Sequence, residues 1–274
     1  MNNRFGIIEG RLIKPPSKDL LQYFPPNWID EINIAKFLKF GFIEFFKDRN
    51  DNQVCPFFSK KGFKIVSDIL SLKNFKSYSF CDDYFIKKNI LKHKFLKKYF
   101  ENMSLNLSII NAKLYVLPLY EKSNLNKKNY TQFLKKINLI SNILNKNNIF
   151  LALETDLELK FINFLFKKAK NNNLYLVYDT GNRVKKGINQ FKEISSLKNK
   201  IIHVHLKDKD SKGNNVVLGN GIVNFKDVFF ALKKINYKRN FCFETNRGAD
   251  PIKTMLKNIK FIKKISSFVK YKIN

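Results

Sequence analysis

A chain of 274 residues with 44% hydrophobic content and 28 Phe can bury a large core, which excludes both a small disulfide-stapled module and a disordered segment. Its formal charge of +30, from 52 Lys+Arg against 22 Asp+Glu, raises nucleic acid or an anionic surface as a partner. The cations, however, are spread over nearly every predicted helix, as in FLKKYFENM, NKKNYTQFLKKIN and FLFKKAKNNN, which fits drift toward AT-rich codons better than a binding arm.

Three cysteines, Cys55, Cys81 and Cys242, lack metal-type spacing, and their odd number argues against a disulfide framework. Cys81 and Cys242 are expected as small core residues. The N-terminal stretch MNNRFGIIEGRLIKPP has no apolar h-region, and no run of about 18 apolar residues occurs. Neither secretion nor membrane spanning is expected, and a reducing cytoplasm fits.

In chain order, the first strand is expected at residues 5–12, FGIIEGRL, followed by a loop through Pro15, Pro16, Pro25 and Pro26. A helix should start near Trp28, with Ile29, Ile32, Ala35 and Leu38 on its inner side, and end at Gly41. Strand two is FIEFF at 42–46, carrying Glu44, and a helix over 59–72 follows a long loop. Strand three is expected over 76–85. Residues 87–105 hold apolar positions at helical spacing without Gly or Pro and read as one helix, with His93 facing solvent. Strand four is AKLYVLPLY, where Pro118 suggests departure from the ladder.

The second half is a run of similar units. A helix over 130–144 leads to IFLALETDL, an apolar stretch too short for a helix that ends in Glu154. After a helix over 159–170 comes LYLVYDTGN, ending at Asp179. A short helix over 190–197 precedes IIHVHLKDK, carrying His205. The loop SKGNNVVLGNGIVNF follows, in which Asn224 can cap a helix over 225–235. The last strand, 241–245 within FCFETNRG, carries Glu244, and Asp250-Pro251 should open the final helix. Eight strands alternating with eight helices, without a composition break, give a (β/α)8 TIM barrel, α/β, as a single domain over 1–274. The C-terminal strand ends form the functional face of such barrels. Two Glu, one Asp and one His at those ends make a divalent metal site if the strands are neighbours.

The ordered set FGIIEGRL, CDDYF, LPLYEKS, LALETDL, YDTGN, HVHLKD, LGNGIVNF and FETNRG resembles the sugar phosphate isomerase/epimerase family of xylose-isomerase-like barrels along nearly the whole chain. The resemblance implies a divalent metal held by Glu154, Asp179, His205 and Glu244, with Glu154 and Glu244 as the proton-transfer pair on the two faces of the substrate carbon. It also implies a possible homodimer or homotetramer. Glu9 departs from the Gln that some members carry there and should add negative charge to the mouth.

Proton abstraction beside a carbonyl needs a base within hydrogen-bond reach and a positive centre for the enediolate that forms. Oxygen ligands with one imidazole favour Mn²⁺ or Mg²⁺, and also accommodate Zn²⁺ or Co²⁺. Ala152, Val177, His203 and Cys242 lie one same-face step below the four ligands. His203 is expected to be buried and to orient a carboxylate. Glu9, Arg11, Glu44, His203, Lys207 and Arg247 are expected around the substrate. Asp208 should line the mouth or pair with Lys, and Gly219-Asn220-Gly221 offers backbone N–H groups to a phosphate or forms a plain turn. The leading expectation is a metal-dependent isomerase or epimerase of a sugar, sugar phosphate or small hydroxy-keto acid, with no specific nucleic-acid or membrane partner. Inosose-type dehydration begins with the same proton abstraction and is the nearest alternative. An abasic-site endonuclease-like barrel would need a His-rich zinc cluster, whereas this chain has three His. A non-catalytic barrel is the remaining alternative.

Overall fold

Eight short runs that are apolar on both faces become parallel strands, as expected where helices cover the outside of a sheet and side chains fill the inside. The computed structural model describes residues 4–14, 22–50, 52–126, 128–184 and 188–273. Pro15 and Pro16 of the expected proline-rich loop lie outside them. The barrel strands are β1 (Phe5–Ile8), β2 (Phe42–Lys47), β3 (Ser77–Asp82), β4 (Leu114–Pro118), β5 (Phe150–Glu154), β6 (Leu174–Asp179), β7 (Ile201–Leu206) and, after a small hairpin of β8 (Asp208–Lys209) and β9 (Asn215–Val216), β10 (Asn240–Phe243). They close in the order β1-β10-β7-β6-β5-β4-β3-β2. The helices are α1 (Trp28–Phe37), α2 (Lys60–Leu72), α3 (Tyr84–Lys87), α4 (Leu96–Ile109), α5 (Tyr130–Asn145), α6 (Leu159–Lys168), α7 (Gln190–Leu197), α8 (Phe225–Lys234) and α9 (Pro251–Phe268). Asn224 caps α8 by accepting from Asp227 N, and Asp250 caps α9 with Pro251 at its first turn.

The strands and helices fall into two compact units, Met1–Ile43 with Tyr178–Asn274, and Glu44–Val177. In the first, Phe5 stacks on Phe241 with ring centroids 5.2 Å apart, and Phe229 stacks on the same ring. Gly6 is required in this layer, because a Cβ there would lie 2.1 Å from the Phe42 ring. In the second, Phe57, Phe63 and Phe80 meet edge-on or tilted, and a further aromatic group surrounds Asp82. Asp82 Oδ2 accepts from the hydroxyls of Tyr99 (2.5 Å) and Tyr115 (2.7 Å), while Lys47 Nζ donates to the Tyr99 hydroxyl at 3.2 Å. Burial, and then the Asp82 charge, push both phenols well above the ordinary tyrosine pKa.

Several expected boundaries shift for identifiable reasons. β1 stops at Ile8, because the chain turns at Gly10, whose φ is +82° and where a Cβ would meet Tyr23 O at 2.3 Å. The single helix expected over 87–105 is three pieces: α3, a 3-10 turn at Ile90–Lys92, and α4. Asn89 Oδ1 takes Leu91 N at 2.8 Å, and Ile90 N donates to Ser123 Oγ at 3.0 Å. These side-chain bonds compete with the helical ladder. His93, expected to face solvent, instead packs among the rings of Tyr84, Phe85 and Tyr99. Ile29, expected on the inner side of α1, is exposed, whereas Ile32 and Ala35 are buried. The β8–β9 hairpin was not expected, since two-residue strands are too short to carry a period. No helix among the described residues is long and apolar enough to cross a membrane.

Candidate metal centre

Parallel strands of similar length end on one side of a barrel, so a polar residue at each terminus projects onto a common rim. Glu154 is the last residue of β5, in register with Pro118, which closes the β4 ladder as its proline suggested. Asp179 ends β6. His205 lies near the end of β7, opposite Cys242 of β10, and Glu244 follows β10 directly, donating its N–H to Leu206 O at 3.1 Å. All four side chains are buried, and Asp179, His205 and Glu244 each offer a ligand atom within 4.8 Å of the other two. Two carboxylates and an imidazole at that spacing fit one divalent ion, whose bonds to oxygen and nitrogen are about 2.0–2.2 Å. Ala152, Val177, His203 and Cys242, expected one step below the ligands, are all buried.

Cations offset this buried negative charge. Lys207 Nζ lies 2.6 Å from Glu244 Oε1 and 3.0 Å from Asp179 Oδ2. Glu244 also faces Arg11 at 3.5 Å and His205 Nδ1 at 3.1 Å. Burial alone would raise the Glu244 carboxyl, but Lys207, His205 and Arg11 outweigh it and hold the group well below the usual carboxylate range. Asp179 goes the other way: burial raises it, Lys207 lowers it, and the neighbouring Glu244 raises it again. The shared cation therefore favours charge on Glu244, to which it is closer. Glu154 accepts from the Tyr120 hydroxyl at 3.2 Å.

The residues expected around the substrate separate into distinct roles. Arg11 bonds Gln22 Oε1 at 2.5 Å as well as Glu244, and Arg247 donates through Nε to Gly10 O. Burial, then Arg11, lower the Arg247 pKa to about 9. Glu9 is fully buried, and both burial and the adjacent Glu31 raise its pKa well above the ordinary value. The negative charge expected from Glu9 is therefore suppressed. Glu44 lies within β2, hydrogen-bonded by the Ser79 hydroxyl. His203 is fully buried against Phe42 and edge-on to His205, and it groups with Cys242. Asp208 pairs with backbone N–H groups of the Gly219 loop instead of a lysine, so that loop's donors face a carboxylate of the same chain.

Two supporting carboxylates escaped the sequence reading. Glu31 of α1 accepts Gly10 N at 2.6 Å and Leu12 N at 2.7 Å, fixing the turn after β1. Glu193 of α7 pairs with Arg183 and accepts the Tyr178 hydroxyl at 3.0 Å, tying down the turn after β6. The available signal was position: both acids fall on the inward side of an amphipathic helix, where an unpaired carboxylate would be costly.

Comparison with known proteins identifies the family and the fold. The xylose isomerase-like TIM barrel family model matches residues 93–265. The chain belongs to that family. Among curated proteins, the inosose dehydratase of Clostridium beijerinckii is 29% identical over 128 residues, a stretch covering 39% of this chain and 43% of that protein. The match thus spans less than half the length of that relative. Among solved structures, a D-allulose 3-epimerase from Methylomonas sp. superposes with a TM-score of 0.72 at 14% identity, covering 96% of this chain and 97% of that one. An IOLI protein with a bound zinc atom superposes at 0.75 with 13% identity, covering 97% and 99%. At these identities the structural likeness establishes the xylose isomerase-like fold.

Proposed function

We propose that the protein is a metal-dependent sugar isomerase or epimerase whose ion is held by Glu154, Asp179, His205 and Glu244. The observation that carries this reading is the convergence of the buried Asp179, His205 and Glu244 side chains to within 4.8 Å, with Glu154 buried at the end of β5. The likeness to a D-allulose 3-epimerase and to an IOLI protein with a bound zinc atom supports it. A divalent ion bound there supplies Lewis-acid polarisation of a substrate carbonyl. Mn²⁺ or Mg²⁺ is the preferred ion, with Zn²⁺ or Co²⁺ compatible with the same donors.

Glu154 and Glu244 exchange the proton on the carbon beside the carbonyl, one from each face. Glu244, beside Lys207 and Arg11, and Glu154, bonded to the Tyr120 hydroxyl, take the two sides of that exchange. Lys207 holds Asp179 and Glu244 in fixed positions. Incubating the metal-loaded chain with ketoses, their phosphates and hydroxypyruvate in heavy water tests this directly. Deuterium should enter the carbon beside the carbonyl, and Glu154→Gln or Glu244→Gln should lower that rate by roughly 10²–10⁴. Full exchange by either variant would reject the pair.

The inosose dehydratase likeness gives a second reading specific support. The same base would then remove a proton before loss of a β-hydroxyl. Products short of one water identify dehydration, and products of unchanged mass identify isomerisation.

A further inference from the structure

The β7–α8 loop holds the sequence feature most like a phosphate cradle, Gly219-Asn220-Gly221 ahead of a helix, where barrels often bind phosphate. Its donors already have an acceptor. Gly219 N and Gly221 N donate to Asp208 Oδ2 at 2.9 and 3.0 Å, while Lys209 N and Val223 N donate to Oδ1 at 2.9 and 3.2 Å. Asp208 is fully buried. A Cβ at Gly221 would lie 2.2 Å from Asp208 Oδ1 and 2.3 Å from Lys209 O, so glycine there makes room for this carboxylate. Gly219 adopts a φ of +87°, the left-handed backbone that directs its N–H inward.

The rest of the loop is equally committed. Leu218 N donates to Asn258 Oδ1 at 3.0 Å, and Ile222 N to Lys209 O at 2.8 Å. Successive residues after β7 point opposite ways. Lys207 reaches Asp179 and Glu244, and Asp208 reaches the loop. The cations nearby also have acceptors: Lys207 those two carboxylates, Arg11 Gln22 and Glu244, and Arg247 the Gly10 carbonyl.

We propose that Asp208 is the resident anion of this loop, filling the cradle with a carboxylate, latching 218–223 in place and directing the enzyme to unphosphorylated polyols or keto sugars. The substrate class rests on the function proposed above; the latch does not. A phosphate entering here would have to displace a carboxylate that accepts four N–H bonds, or sit against its charge.

Thermal unfolding of the full chain, with inorganic phosphate or with chloride at matched ionic strength, tests the latch. Asp208→Ala should unfold several degrees below the wild type, and phosphate should raise the variant's midpoint by several degrees more than the wild type's, by entering the emptied cradle. Equal rises, or no rise in the variant, overturn the proposal. Asp208→Asn, which keeps one acceptor oxygen, serves for the same comparison should the alanine variant not fold. Calorimetric binding of a free ketohexose and of its terminal phosphate ester to the metal-loaded wild type tests the substrate class. The ester should bind at least about tenfold more weakly, and tighter binding of the ester overturns the proposal. Failure of both sugars to bind rejects the functional reading, while the phosphate comparison still decides the latch.

Discussion

Two carboxylates side by side without a shared cation cannot both stay ionised at ordinary cost, and Glu9 with Glu31 is such a pair. Burial raises the pKa of Glu31, opposed by its two backbone N–H donors and by Arg247, whereas burial and Glu31 itself both drive Glu9 well above the ordinary carboxylate value. A folded-state pKa raised above the unfolded value contributes stability that is complete below the unfolded value of about 4.5 and is lost as pH climbs through the raised one. Glu9→Gln keeps the shape and removes the ionisation. Its unfolding midpoint should match the wild type near pH 4 and exceed it at pH 8. Parallel profiles for the two proteins would show that Glu9 carries no such penalty.

At the scale of an element, the turn after β6 depends on one buried ion pair. Arg183 and Glu193 are both buried, with Arg183 Nε 3.1 Å from Glu193 Oε2. Removing one partner leaves an uncompensated buried charge, and Glu193→Ala should cost about 3–5 kcal/mol in denaturant unfolding. Arg183→Met with Glu193→Leu should recover much of that loss, because the desolvation penalty disappears from both sides. A helix cap carries far less. Asn224→Ala deletes the acceptor for Asp227 N, and about 1 kcal/mol of stability should go with it. A loss as large as that of Glu193→Ala would mean that Asn224 does more than end a helix.

For the whole molecule, a cation that binds the folded chain and not the unfolded one must stabilise it. At 100 times its dissociation constant the gain is about 2.7 kcal/mol, worth roughly 5–10 °C at this size. Added Mn²⁺ should raise the unfolding midpoint, a chelator should reverse the rise, and Asp179→Asn should abolish it. The charge of +30 makes a separate prediction. Duplex DNA should bind only at low salt, with affinity falling steeply as salt rises, and an abasic site should remain uncut.

The alternation of short apolar runs with amphipathic helices, and the acids and His at the ends of the later runs, were readable along the chain because strand period, strand length and cap chemistry are local properties. That reading yielded the barrel, the caps at Asn224 and Asp250, and the four acid and His positions proposed as ligands. The protonation bias of Glu9, the Arg183–Glu193 pair and the occupant of the Gly219 loop were decided only in three dimensions. Each depends on which distant group fills the space beside a buried charge: Glu31 is 22 residues from Glu9, and Asp208 is 13 from Gly221. Linear spacing does not encode those distances, and at close range in a poorly solvated interior they determine where charge can reside.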